Sequence, residues 1–140
     1  MMNTNSKTGR QEVVAAYVDF DIEDFKDSAG TVLVTAIAAM QIPQGACIID
    51  GFLAIDTAFN GTTPTLTIGD NADDTPDEDR YLGAGSVAST GKIAVLNPNG
   101  DEVAQACDVT LKLSAADATE GAGRICLRYV VAGRVAFSQG

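Results

Sequence analysis

Histidine is absent from the sequence. That removes the side chain that most often acts as a general base near neutral pH, the base of Ser-His and Cys-His nucleophile pairs, and the commonest neutral metal ligand. Tryptophan is absent as well, and the aromatics amount to five Phe and three Tyr, too few for the stacking platforms of a carbohydrate site. Cations are scarce: nine Lys and Arg stand against 19 Asp and Glu, a formal net charge of −10. Most of such a surface repels a nucleic-acid backbone or an anionic membrane, so neither is expected as a partner. No apolar run approaches the ~18 residues of a membrane span. The opening MMNTNSKTGRQE lacks the apolar stretch of an export signal, so synthesis and folding in the cytoplasm are expected. Cys47, Cys107 and Cys126 are odd in number, far apart and without a CxxC pair that would point to metal or redox work. Lying in apolar runs (GACIID, QACDVTL, GRICLRY), they are expected as buried thiols; the alternative is one disulfide, Cys107 to Cys126.

What the 140 residues do contain is alternation. A chain of this length can bury roughly two thirds of its unfolded surface in one core. The expectation is a single domain over residues 13–140 behind a flexible N-terminal arm, 1–12, too polar to bury a face. Val14, Ala16, Val18, Phe20 and Ile22 alternate with Ala15, Tyr17, Asp19 and Asp21, the period of a strand with one face on a core and one in water. Lys26 to Gly30 supply a turn and β-branched residues resume from Thr31 to Ile37. A helix over Val32 to Met40 competes there, but Ile42-Pro43-Gln44-Gly45 leaves it little room. The longest strand-like run is Ala46 to Phe59: Cys47, Ile49, Leu53, Ile55 and Phe59 share one parity, Asp50 and Asp56 take the other, and Gly51 marks a bulge or bend. Asn60-Gly61 then leads to Thr65–Gly69 (TLTIG), which reads as a hairpin with the two segments as neighbours. Residues 70–91 read as mostly loop around a short strand, Arg80-Tyr81-Leu82.

Lys92 to Leu96 is a further strand, closed by the turn Asn97-Pro98-Asn99-Gly100. Cys107, Val109, Leu111 and Leu113 alternate with Asp108, Thr110, Lys112 and Ser114, the clearest amphipathic strand of the chain. Arg124 to Val131 and a short run from Arg134 to Phe137 follow. About eight strands with turns between them define an all-β chain, an antiparallel β-sandwich of jelly-roll-like form. The expected core comprises Val14, Val18, Phe20, Ile49, Leu53, Ile55, Leu66, Ile68, Val109, Leu111, Ile125, Leu127 and Tyr129.

Chemical motifs are few. Asp70 to Asp79 gathers six carboxylates in ten residues, hard donors of the kind calcium takes, but without the glycine and terminal glutamate of an EF-hand loop; it reads as a solvated acidic loop. Asp19, Asp21, Glu23 and Asp24 form a second acidic group, where a glycosidase pair lacks its aromatic platforms. Gly83-Ala84-Gly85-Ser86 and Gly121-Ala122-Gly123-Arg124 lack the GxxxxGK[ST] pattern of a phosphate cradle and read as turns. Tyr17, Tyr81 and Tyr129 read as wall residues with wet hydroxyls. Arg80, Arg124, Arg128 and Arg134 can pair with carboxylates in the sheet or with a partner. No catalytic, cofactor-binding or metal site and no enzymatic activity are expected.

The phrases AAYVDFDIEDF, IPQGACIIDGFLAIDTAFN, TLTIGDN followed by DRYLGAG, and GRICLRYVVAGRVAFSQG span most of residues 13 to 140. They resemble the small β-rich capsid decoration, or cement, proteins encoded among the head genes of tailed bacteriophages. The resemblance implies a structural virion protein on the capsid exterior that binds the major capsid protein, stabilises capsomer junctions and assembles as a homotrimer, with the terminal arm gripping a neighbour. It implies no cofactor. An exterior position agrees with the charge, since ten net negative charges are unfavourable beside packaged DNA. The segments VLVTAIAAM and RYVVAGRVAF, apolar on both faces, are the expected subunit interface. A tail-, collar- or fibre-associated β-domain of the particle is the alternative.

Overall fold

The computed structural model describes residues 13–72, 77–96 and 103–131, and the alternating segments form eight strands. These are β1 Val14–Asp21, β2 Ile37–Ile42, β3 Ala46–Thr57, β4 Thr65–Asp70, β5 Asp77–Ser86, β6 Gly91–Val95, β7 Cys107–Leu113 and β8 Ala122–Val131. The arm 1–12, the turn Asn97–Gly100 and the run Arg134–Phe137 lie outside the described residues.

All strand pairs are antiparallel: β1 with β8, β2 with β7, β3 with β6 and β4 with β5. Each pair joins strands equally far from the β4–β5 hairpin, as in one long ribbon of paired strands folded over on itself. Wrapping that ribbon sets β8 beside β3 and β7 beside β4. The result is two four-stranded sheets of order β1-β8-β3-β6 and β2-β7-β4-β5. This is the jelly roll expected from the sequence.

The inner faces meet on Leu53, Leu66, Ile68, Val109, Leu111, Leu113, Ile125 and Leu127, all 0–1% exposed. Each such side chain contributes about 1.5–3 kcal/mol of burial free energy. A triad of rings, Phe20, Phe25 and Phe59, with centroids 6.0–6.3 Å apart, plugs one end. Phe25 arrives there on a single 3-10 turn, Ile22–Phe25. Asp21 caps that turn by accepting from the Glu23 N–H at 3.0 Å, while Asp24 accepts from the Asp21 N–H at 2.9 Å. Gly121, at φ +151°, lies against the Phe59 ring where any Cβ would collide with it.

Several expectations are corrected. β3 and β4 are not hairpin neighbours: Phe59 to Pro64 cross from one sheet to the other. Residues 77–86 are a ten-residue strand rather than mostly loop, and Gly83–Ser86 lies within it. Likewise Ala122–Arg124 opens β8 and is not a turn. Thr31 to Val34 makes an isolated bridge, Lys26 with Val32, and the strand itself starts at Ile37. Ile49 is 46% exposed because the bulge falls between Ile48 and Asp50, which hands the inward position to Ile48. Val14, 41% exposed, opens an edge strand beyond the reach of the opposite sheet; Val18 and Tyr129 are half-buried against the core. The three cysteines are thiols, half-buried rather than buried, and Cys107 and Cys126 lie in different sheets.

The two ends of the sandwich differ. At the phenylalanine end the crossings are clasped. Asn60 accepts from the N–H groups of Thr119 (2.6 Å) and Glu120 (3.1 Å), and Asp117 accepts from the Thr62 N–H (3.0 Å) and hydroxyl (2.9 Å). The register places the starts of β1, β3, β5 and β7 and the ends of β2, β4, β6 and β8 together at the opposite end.

Candidate interaction face

The outer faces of the two sheets have different chemistry. On β2-β7-β4-β5 the outward positions include Gln41, Asp108, Lys112, Ser114 and Thr65. Lys112 bridges to Glu78 at 2.8 Å across an open depression. Among the described residues, no exposed large hydrophobic lies on these four strands.

On β1-β8-β3-β6 the register lays the outward side chains in rows. Asp19, Arg124, Ala54 and Lys92 make one row, Tyr17, Cys126, Phe52 and Ala94 the next, and Ala15, Arg128 and Asp50 a third. An apolar row therefore runs between two charged ones. Tyr17 is 54% exposed at one edge and Leu96, just past β6, is 63% exposed at the other. A shallow trough between them is floored by Phe52, Ala94, Leu96 and Cys126.

The charged rows are mostly neutralised in place. The Arg128 guanidinium forks onto both carboxylate oxygens of Asp50. That hydrogen bonding holds Asp50 below, and Arg128 above, their ordinary pKa values. Arg124 lies 3.7 Å from Asp56 and donates to the Tyr17 hydroxyl at 3.4 Å; Tyr17 donates in turn to Asp19 at 3.1 Å. The Tyr17 contact, followed by the charge of Asp56, raises the pKa of Arg124. Lys92 differs: its ammonium sits 4.8 Å from the centroid of Phe52. Among the described residues it pairs with no carboxylate.

A second cluster lies inside the sandwich. Asp70, 1% exposed, accepts from the Tyr81 hydroxyl at 2.7 Å and the Ala72 N–H at 3.3 Å, with Arg80 Nε at 3.1 Å. Burial, followed by the hydrogen bond to Asp70, pushes the Tyr81 pKa far above its ordinary value. The hydroxyl of Tyr81 is thus not wet, in contrast to the expectation. This cluster ties the end of β4 to β5 across the connection 71–76.

The acidic loop expected at Asp70–Asp79 is accordingly divided. Asp70 is buried in the core, Asp77, Glu78 and Asp79 belong to β5, and residues 73–76 lie outside the described residues. Among the described residues, no group of acidic or thiol side chains converges on a metal-sized site. Of the second acidic group, Asp21 and Asp24 are spent on the cap of the 3-10 turn. Arg80, Arg124 and Arg128 each take a carboxylate neighbour, and Arg134 lies outside the described residues. Sequence reasoning passed over Phe52, Lys92 and Leu96. The signal for Phe52 was its adjacency to Leu53, two large apolar residues in succession that must point to opposite faces of one strand.

Neither a family model nor a curated relative matches the chain. Among solved structures, the chain is similar to one in the capsid asymmetric unit of cyanophage Pam1. Identity there is 21% and the TM-score 0.59, with 94% of this chain and 99% of that one covered. It is also similar to a chain in the capsid of Ralstonia phage GP4 (18% identity, TM-score 0.58, 92% and 90% covered). A third likeness is to a chain in the acid-stable capsid of Helicobacter pylori bacteriophage KHP30 (12%, 0.59, 86% and 92%). At these identities the comparison establishes a fold shared with chains of three bacteriophage capsid structures.

Proposed function

We propose that this protein is a structural component of a bacteriophage particle, a capsid decoration or cement protein on the outside of the head that stabilises capsomer junctions. The observation that carries the reading is the near-complete coverage in both directions with chains of three phage capsid structures. The match takes in 86–94% of this chain and 90–99% of the neighbours. The partners in this reading are the major capsid protein and further copies of the chain itself, as a homotrimer, and the role requires no cofactor or catalysis. The face of Tyr17, Phe52, Leu96, Arg124 and Arg128 supports it, since aromatic residues and arginine ringed by charge are the composition of protein-binding surfaces. The N-terminal arm, 1–12, adds a grip on neighbours.

The test is a count of copies in purified particles by quantitative mass spectrometry. Hundreds per virion support shell decoration. A dozen or fewer would move the protein to the tail or collar, and none would refute a virion role. Deleting residues 2–11 is expected to weaken binding to undecorated capsids; equal binding would remove the arm from the reading.

A further inference from the structure

The outer face of the β1-β8-β3-β6 sheet is unlike the rest of the described surface in two respects. It carries Lys92, Arg124 and Arg128 against Asp19, Asp21, Asp50 and Asp56, one net negative charge, and so is far less acidic than the rest of a chain of net charge −10. Elsewhere the described cations are Lys26, Arg80 and Lys112, each already beside a carboxylate at 2.9, 3.1 and 2.8 Å, and the remaining surface is strongly acidic. The face also has the exposed apolar row, extended at its margins by Ile49 and Leu96. Exposed apolar patches rimmed with charge mark interaction sites.

We infer that this sheet face is the self-association surface of the protein and that its occupant is the acidic flank of a neighbouring copy. Charge decides the orientation. Two acidic flanks of this chain repel each other, so contact between copies is least opposed where one partner presents its least acidic surface with a cation not yet paired, and this face supplies both. Lys92 sharpens the argument. Arg128 and Arg124 already hold Asp50 and Asp56, whereas Lys92 has an aromatic ring beneath it and its donors available to an incoming carboxylate. A face meeting a different flank is a heterologous contact, the kind that closes into a ring such as a trimer.

Size is compatible. Four strands about 4.8 Å apart and roughly 25 Å long present a footprint of about 500 Å². Two such surfaces bury about 1,000 Å², the lower bound of a specific contact. The Arg128–Asp50 fork helps, because an arginine already held flat by its own carboxylate loses less freedom when a neighbour covers it.

The inference deepens the homo-oligomer of the preceding reading by naming its surface, and it can fail while the virion role stands. The experiment is light scattering with sedimentation of the full-length protein from about 1 to 100 µM. The wild type is compared with Lys92→Glu, Tyr17→Ser and, on the opposite sheet, Gln41→Glu. All three positions are exposed, and thermal melts establish that each variant is folded. The wild type is expected to be oligomeric, and Lys92→Glu and Tyr17→Ser each to raise the dissociation constant about tenfold or more. Gln41→Glu is expected to leave the mass unchanged. A monomeric wild type at 100 µM, or folded Lys92→Glu and Tyr17→Ser proteins that keep the wild-type mass, would overturn the assignment. The copy number in particles tests the virion reading separately.

Discussion

Removing one oxygen atom tests the account of the interior. In Tyr81→Phe the ring stays, 4% exposed in the wild type, and the hydroxyl that donates to Asp70 at 2.7 Å is lost. A hydrogen bond to a charged group contributes about 1.5–3 kcal/mol net. Asp70 keeps the Ala72 N–H at 3.3 Å and the Arg80 Nε at 3.1 Å, so the carboxylate is not stranded and the expected loss is about 2 kcal/mol. At this chain length about 3 °C of Tm accompanies each kcal/mol, giving a fall of about 6 °C by circular dichroism. The pH dependence supplies a second readout. The phenol of Tyr81 has its pKa raised in the folded protein, so its stabilising contribution is complete below the unfolded value near 10 and is lost above it. In that window wild-type stability declines by up to about 1.4 kcal/mol per pH unit from this residue, and Tyr81→Phe removes that part of the slope. A Tyr81→Phe protein within about 0.5 kcal/mol of wild type at pH 7, with the same alkaline slope, would refute the buried-carboxylate reading.

The acid side has the opposite sign. Asp50 and Asp117 have pKa values lowered from 3.8, chiefly by hydrogen bonding from Arg128 and from the Thr62 backbone N–H respectively. Their stabilisation is present above that value and lost as pH falls through the lowered one, so Asp117→Asn should flatten the acid limb of a Tm-against-pH curve below about pH 4. Gly121→Ala is expected to cost more than Gly83→Ala in urea denaturation, since only the former places a methyl group in the Phe59 ring. Phe59→Ala should cost about 3–5 kcal/mol, measured the same way, by emptying the ring triad. Chelation with EDTA should leave the Tm unchanged. A drop of several degrees, abolished by Asp73→Asn with Asp74→Asn, would instead overturn the solvated-loop reading of the 70–79 segment in favour of a bound cation.

Much of the fold was legible because period-two alternation depends on burial alone. Cys107–Leu113 matches its strand residue for residue, and Arg124–Val131 and Lys92–Leu96 match theirs to within two residues. What failed was whatever depends on partners distant in sequence. Asn60-Gly61 reads locally as a hairpin, yet the hydrogen bonds from Asn60 and Thr62 to the 117–120 segment turn it into a crossing between sheets. Ile49 lost its expected place to a bulge that Gly51 signalled two residues late. Asp70 looked like the start of a solvated loop because nothing local shows that Tyr81 and Arg80 return to meet it. The interaction face was half visible: Arg124 and Arg128 drew notice as scarce cations, whereas Phe52 and Lys92 acquire meaning only once β3 and β6 are paired.

The β1–β8 pairing also has a mechanical consequence. Val14 lies opposite Tyr129 and Asp21 opposite Ala122, so the described chain enters and leaves the sandwich side by side on neighbouring antiparallel strands. A load applied between residues 13 and 131 peels that ladder open one rung at a time from the Val14 end, and each rung yields at the force of a single hydrogen-bonded pair. A load applied between residue 13 and the clasped phenylalanine end instead shears all the rungs together. A sandwich of this design resists tension well when held at residue 13 and at its phenylalanine end, and poorly when strung between residues 13 and 131.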